Sequence, residues 1–146
     1  MNDILKDIIR SNLSSGHVLL EVKVNTNGDY VRIIIDSEKG ITLEDTTKLS
    51  QKLKILEKFN DELPESYRLE ISTPGVDRSL EFPFQYRKNI NRMVNINILN
   101  DTSNKSITGK IIDANDVAVM VSNRSGNIDN ISYDNIQSAK INLSFK

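Results

Sequence analysis

The chain has 146 residues, of which 38% are hydrophobic, so it is long enough to bury one core or two small ones. It has no cysteine, which excludes disulfides and thiolate chemistry, and no apolar run approaches the roughly 20 residues of a membrane span. The net charge of −1 lacks the basic excess that is typical of nucleic-acid binders. These features predict a cytoplasmic protein that does not insert into a membrane.

The first half of the chain alternates between helical and strand periodicity. Apolar residues at helical spacing predict one helix over residues 2–13 and a second that begins after Thr42, where Asp45 completes a capping box. Apolar residues at every second position predict strands, and these lie at residues 17–24, 29–36 and 67–71. The first two strands are joined by Asn-Thr-Asn-Gly, which indicates a hairpin. We expect an N-terminal α+β domain with two helices and a sheet of three or four strands.

The second half has almost no helical period and is mildly basic. Its short alternating runs are MVNINIL, ITGKII, VAVMV, NISY and AKINL. Five such strands predict a small barrel or sandwich. Phe82, Phe84 and Tyr86 occupy every second position before them, as in an extended connector between two cores, with base stacking as the alternative role. We therefore expect two domains, at residues 1–81 and 82–146.

The search for catalytic groups is negative. His17 is the only histidine, so neither a metal cage nor a nucleophile–histidine pair has independent support. Acidic residues gather before and within the second helix, where the helix dipole favours them. The six glycines are dispersed and form no phosphate-binding loop. The sequence therefore predicts no enzymatic activity, no metal and no cofactor.

The outer side of the second helix is one candidate binding surface. Lys48 and Lys52 lie one turn apart and flank the apolar Ile55, away from the leucine stripe. Two lysines around an exposed isoleucine suit a docking face. The alternative is a solvated helix face in which Lys48 pairs with Glu44.

The stretch LEISTPGVDRSLEFP, residues 69–83, is the other candidate. Pro74 and Gly75 predict a type II turn, with glycine at the position that needs a positive φ. Asp77 and Arg78 then leave the turn in a fixed direction, and Arg78 can present its planar fork to a phosphate or a carboxylate. The alternative is that Asp77 and Arg78 form a buried pair between the two domains.

These residues also carry a resemblance. LEISTPGVDRSL is similar to the strand, Ser-Pro-Gly turn and Asp-Arg-Pro-Leu signature of the bacterial ribosome maturation factor family RimP, and GITLED with its leucine helix precedes it at the family's spacing. Pro74, Gly75, Asp77 and Arg78 match the signature directly. Ser79 stands where the family usually has proline.

The resemblance implies an N-terminal α+β domain, a C-terminal Sm-like or SH3-like β-barrel, and no catalysis. It implies a monomer that binds the immature small (30S) ribosomal subunit through 16S rRNA, a ribosomal protein near the decoding region, or both. The resemblance points to Pro74, Gly75, Asp77 and Arg78, and with the lysines proposed from the helix pattern the predicted partner-binding residues are Lys48, Lys52, Pro74, Gly75, Asp77 and Arg78. The rival interpretations are a stand-alone RNA-binding module with a small barrel and, more distantly, a carboxylate-based hydrolase.

Overall fold

The computed structural model describes residues 2–99 and 104–142. The chain forms two compact units, Met1–Pro74 and Gly75–Lys146. Within the described residues, no helix is long and apolar enough to cross a membrane. The architecture is α+β, as the sequence predicts, and the sheet is mixed in the first unit and antiparallel in the second. That these units fold independently, and that a boundary between residues 81 and 82 would separate them, stays a prediction.

The first unit places its helices on one face of a three-stranded sheet. Its elements are α1 (Asn2–Asn12), β1 (His17–Val24), β2 (Tyr30–Ser37), α2 (Leu43–Lys54), α3 (Glu57–Asn60) and β3 (Arg68–Ser72). The strand order is β1-β2-β3, with β1 antiparallel and β3 parallel to β2. The hairpin turns at Gly28, whose φ of 75° is readily available to glycine. The predicted hairpin is confirmed, and the sheet has three strands.

The core of the first unit follows the two periodicities seen in the sequence. Alternate residues of β2 are fully buried on the helix side, and the apolar stripes of α1 and α2 pack against them. The fully buried members are Leu5, Ile9, Val31, Ile33, Ile35, Leu53 and Phe59. Burying one such side chain stabilises a fold by roughly 1.5–3 kcal/mol, so this stripe fixes which side of each element faces inward.

The second unit is a helix followed by five strands. Its elements are α4 (Pro83–Arg87), β4 (Met93–Leu99), β5 (Asn104–Ala114), β6 (Ala118–Asn123), β7 (Ile128–Ser132), a 3₁₀ turn (Tyr133–Asn135) and β8 (Ile136–Asn142). All pairings are antiparallel, in the order β7-β6-β5-β4-β8. The expected five strands are therefore present. Leu143, the end of the predicted AKINL strand, lies outside the described residues.

The predicted extended connector is wrong, because residues 83–87 form α4. Pro83 occupies the first turn, where its fixed φ suits a helix and its missing N–H costs nothing. Tyr86 is 2% exposed in the core of the second unit, with its ring centroid 5.0 Å from that of Tyr133. The one-turn helix α3 was also not predicted, so each unit has one more helix than expected.

The predicted type II turn at Pro74 and Gly75 is also wrong. Positive φ occurs at Gly16, Gly28, Gly40 and Gly126, whereas Gly75 lies outside that region of backbone space. The turn begins two residues later than predicted, at Gly75, whose carbonyl accepts the Arg78 N–H at 3.1 Å. Glycine is therefore not required at position 75 by its φ angle.

Candidate functional site

The turn from Gly75 to Arg78 presents the candidate arginine. The Arg78 Nη2 lies 3.2 Å from Glu81 Oε1, three residues further along the chain. The Arg78 side chain is 23% exposed, and that of Glu81 is 48% exposed. Arg78 is thus a partly buried cation with one edge at the surface, a geometry that holds its fork in place and still leaves it accessible to an anion.

Ser79 and Leu80, which follow the turn directly, attach this segment to the second sheet. The Leu80 N–H donates to the Ala139 carbonyl at 2.7 Å, and the Ala139 N–H donates to the Ser79 hydroxyl at 3.0 Å. Ala139 is fully buried on β8, an edge strand of the sheet. Residues 79 and 80 therefore cover part of an otherwise open strand edge. Ser79 makes this contact through its side-chain hydroxyl.

A buried glutamine fixes the next two residues. Gln85 is 2% exposed, and its Oε1 accepts the N–H of Glu81 at 2.7 Å and that of Phe82 at 3.0 Å. Phe82 is the N-cap of α4 and Gln85 its third residue, so this is half of a capping box. Together with the β8 contacts, these bonds make the segment that carries Asp77 and Arg78 part of the second unit.

The outer side of α2 forms the second candidate site. Lys48 Nζ lies 3.2 Å from Glu44 Oε1, and Lys52 Nζ donates to the Asn12 carbonyl at 3.4 Å. Ile55 is 83% exposed beside them. A cleft of about 370 Å³ runs between this face and the end of α1, with Leu13 and Leu49 among its apolar lining residues. The predicted Glu44–Lys48 pair is present, and it is an exposed pair of the kind that contributes little to stability.

His17 and Asp45 lie at the same cleft. His17 Nε2 is 4.0 Å from Asp45 Oδ2, and the His17 side chain is 13% exposed. Asp45 Oδ2 accepts the Thr42 N–H at 2.9 Å, while Thr42 Oγ1 accepts the Asp45 N–H at 3.1 Å. The hydrogen bond from the Thr42 N–H to the carboxylate lowers the pKa of Asp45 most, the Thr42 side chain lowers it next, and His17 and Lys48 add smaller effects. The carboxylate caps α2, as the sequence predicts.

Metal binding has no support in the part of the chain that the structure describes. No group of three His, Asp or Glu side chains lies close enough there to hold an ion. Lys48 and Arg78 take part in ion pairs, Asp45 in a helix cap and Lys52 in a hydrogen bond to a backbone carbonyl.

The family model for the RimP N-terminal domain matches residues 4–77, just over half of the 146-residue chain. The chain belongs to the RimP family. RimP proteins form a family of ribosome maturation factors, so the resemblance noted in the sequence is confirmed. The match contains the α2 face and ends at Asp77, one residue before the candidate arginine.

The six predicted binding residues of this RimP family protein fall into two groups. Lys48 and Lys52 lie together on the first unit, and both line the α2 cleft. Gly75, Asp77 and Arg78 lie in the second unit, with Pro74 the last residue of the first. The sequence reasoning missed Glu81, Ser79 and Gln85. Only Gln85 had a usable signal, because a glutamine three residues after a helix start is part of the capping-box pattern.

Proposed function

We propose that the protein binds the immature small ribosomal subunit and promotes its late maturation without catalysing a chemical reaction. The observation that carries the proposal is the RimP N-terminal domain match over residues 4–77, together with the signature turn at its end. The two candidate sites add chemical support, because each offers a cation beside accessible surface and neither assembles catalytic groups. The place of action is the cytoplasm, where ribosomes assemble.

Arg78 is the residue that we assign to subunit contact. Its guanidinium is held by Glu81 at 3.2 Å, so less side-chain entropy is lost when the arginine binds an anion. Phosphates of 16S rRNA and carboxylates of a ribosomal protein near the decoding region both match its fork. Asp77, Gly75 and Pro74 set the path of the chain into this turn. Lys48 and Lys52 supply a second contact from the first unit.

The second unit closes into a small Sm-like or SH3-like barrel in this proposal. Five strands laid flat at about 4.8 Å spacing would separate the edge strands by roughly 19 Å. Ile131 of β7 and Ala139 of β8 nevertheless belong to one buried cluster, which supports strong curvature. A bulge in β5 between Ile111 and Asp113 is a device that bends strands in this way. Coverage of the β8 edge by residues 79–80 also favours a monomer.

The alternative function is a stand-alone RNA-binding module that uses the same small barrel. The mild basic excess of the second half of the sequence is compatible with it. The two functions differ in partner choice: a maturation factor prefers an assembling particle, whereas a general module binds unrelated single-stranded RNA. A near-neutral protein gains little from counterion release, so we expect the particle to be preferred.

The test is sedimentation of cell lysate through a sucrose gradient, followed by detection of the protein in each fraction. We expect it with free small subunits and their precursors, and absent from 70S particles. Purified protein is then mixed with free subunits or with random-sequence RNA at moderate salt. Equal binding to the random RNA would favour the alternative module, and absence from all ribosomal fractions would refute both the subunit contact and the maturation role.

A further inference from the structure

The outward side of β4, β5 and β8 is an uncharged polar surface with lysines at one end. Val94 and Ile96 point into the core, so the other residues of β4 face outward, and the strand registers place their neighbours beside them. We call this surface the polar face; it consists of Asn95, Asn97, Ser106, Thr108, Lys110, Ser138 and Lys140. All seven are exposed or partly exposed.

Cross-strand hydrogen bonds order this face. Asn97 Nδ2 donates to Ser138 Oγ at 3.0 Å, and Ser106 Oγ donates to Asn97 Oδ1 at 2.6 Å. In the next row, Thr108 Oγ1 donates to Asn95 Oδ1 at 2.8 Å. An asparagine amide has two donor hydrogens and two acceptor lone pairs, so these bonds leave capacity for an outside partner. The side chains are thus held in position before binding, which lowers its entropy cost.

The strand segments that form the polar face carry charge of one sign. Residues 93–99, 104–110 and 136–142 contain no Asp or Glu at all. Lys110 and Lys140 lie on the polar face, opposite Met93 and Asn95 respectively on β4. A surface with two cations, no carboxylate and rows of amides and hydroxyls is complementary to a polyanion that also carries hydrogen-bonding groups.

We propose that the polar face binds the shallow minor groove of an A-form RNA duplex. That groove displays 2′-hydroxyls and is bordered by phosphates, which match the Asn, Ser and Thr rows and the two lysines. Single-stranded RNA is disfavoured because the face has no aromatic side chain on which bases could stack. A protein partner is disfavoured because its interface core would need apolar anchors, and in residues 93–99, 104–110 and 136–142 the outward side offers only Met93 and Leu99, at the two ends of β4.

This inference rests on the proposed function, since it names the kind of rRNA structure that the second unit contacts. It also fits the near-neutral charge of the chain. Two phosphate contacts correspond to a slope of only about −1.8 in a plot of log affinity against log salt concentration. Because the electrostatic contribution is small, most of the affinity must come from hydrogen bonds and shape. These favour duplex RNA over other polyanions.

The experiment uses the full-length ¹⁵N-labelled protein at low salt. A short RNA duplex, a DNA duplex of the same sequence and one separated RNA strand are titrated, and amide chemical shifts and affinities are measured. We expect the RNA duplex to shift the amides of the polar face and to bind more tightly than DNA, which lacks the 2′-hydroxyl.

The variants separate this face from general charge. Lys110→Ala with Lys140→Ala should weaken duplex binding by about fivefold or more and reduce the salt slope by about two. Lys105→Ala is the matched control, because Lys105 is an exposed lysine of β5 that alternates to the other side of the strand. Asn95→Ala with Asn97→Ala should reduce the preference for RNA over DNA. Thermal unfolding of each variant identifies any loss that comes from misfolding.

Several results would overturn the inference: equal affinity for the DNA duplex or the single strand, shifts that cluster away from the polar face, or an equal effect of Lys105→Ala. Co-sedimentation of the same samples with small subunits separates the two levels of the proposal. Subunit binding without duplex binding refutes the RNA contact and leaves the proposed function standing. If the wild-type protein does not co-sediment with small subunits, the proposed function itself is refuted.

Discussion

Replacement of Arg78 tests the proposed subunit contact most directly. Arg78→Ala removes an ion pair to the half-exposed Glu81, which is worth about 0.2–1 kcal/mol. It also removes two methylene groups of a largely buried stem, worth about 1–1.5 kcal/mol. The free energy of unfolding should therefore fall by about 1–2.5 kcal/mol, which lowers Tm by roughly 5–15 °C for a unit of this size.

Arg78→Lys separates stability from binding, because lysine keeps the charge and the stem but loses the planar fork. We expect less than about 1 kcal/mol of destabilisation, together with a tenfold or greater loss of subunit affinity, since charge-assisted bonds contribute about 1.5–3 kcal/mol. Glu81→Gln is the control: it removes the carboxylate charge but keeps an amide oxygen that can still hold the Arg78 guanidinium, so subunit binding should be largely retained.

Both properties are measured on the same samples, by thermal unfolding and by co-sedimentation with small subunits well below the lowest Tm. Unchanged co-sedimentation of Arg78→Lys would refute the assigned contact. A large loss of Tm in that variant, with binding reduced only in proportion to the unfolded fraction, would show that Arg78 acts within the fold alone.

Gly109→Ala should destabilise the second unit by about 1–3 kcal/mol, because the new Cβ would lie 2.5 Å from the Ser122 carbonyl oxygen. The Cβ of Gly75→Ala would meet nothing within 4 Å, so this variant should change Tm little or raise it. Chemical denaturation of both variants compares the two effects. The pKa of Asp45 is lowered in the folded state, so its cap stabilises α2 above pH 3.8 and is lost as the pH falls through the folded pKa. The stability difference between wild type and Asp45→Asn should therefore shrink in acid, and a constant difference would contradict the capping role. Ser79→Ala should cost about 1–3 kcal/mol and accelerate hydrogen exchange at the buried Ala139 amide, which loses its acceptor; unchanged exchange would show that another group replaces the hydroxyl.

The elements that the sequence predicted well are those in which one local signal decides the structure. The capping box at Thr42 and Asp45 marked the start of α2, and a period of two marked β1 and β2. Asn-Gly at residues 27–28 marked the hairpin, because glycine there adopts a positive φ. In each case propensity, pattern and the final packing agree.

The failures arose where two local signals compete. Alternating aromatics at Phe82, Phe84 and Tyr86 satisfy a strand period, yet Pro83 and Gln85 favour a helix start, and the buried amide decided the outcome. Pro-Gly fits a type II turn, but the hydrogen bond formed at Gly75–Arg78 instead. Neither the partner of Arg78 nor the polar face could be predicted, because both depend on strand register and on contacts between distant residues.

The two helix caps described above differ in chemistry, so they respond differently to acid. At α2 the accepting group is the carboxylate of Asp45, which loses its charge when protonated. At α4 it is the amide oxygen of Gln85, which stays neutral across the pH range in which proteins fold. Strong acid, at a pH below 3.8, therefore weakens the cap of the helix beside the α2 cleft, whereas the Gln85 hydrogen bonds in the segment that follows Arg78 do not titrate.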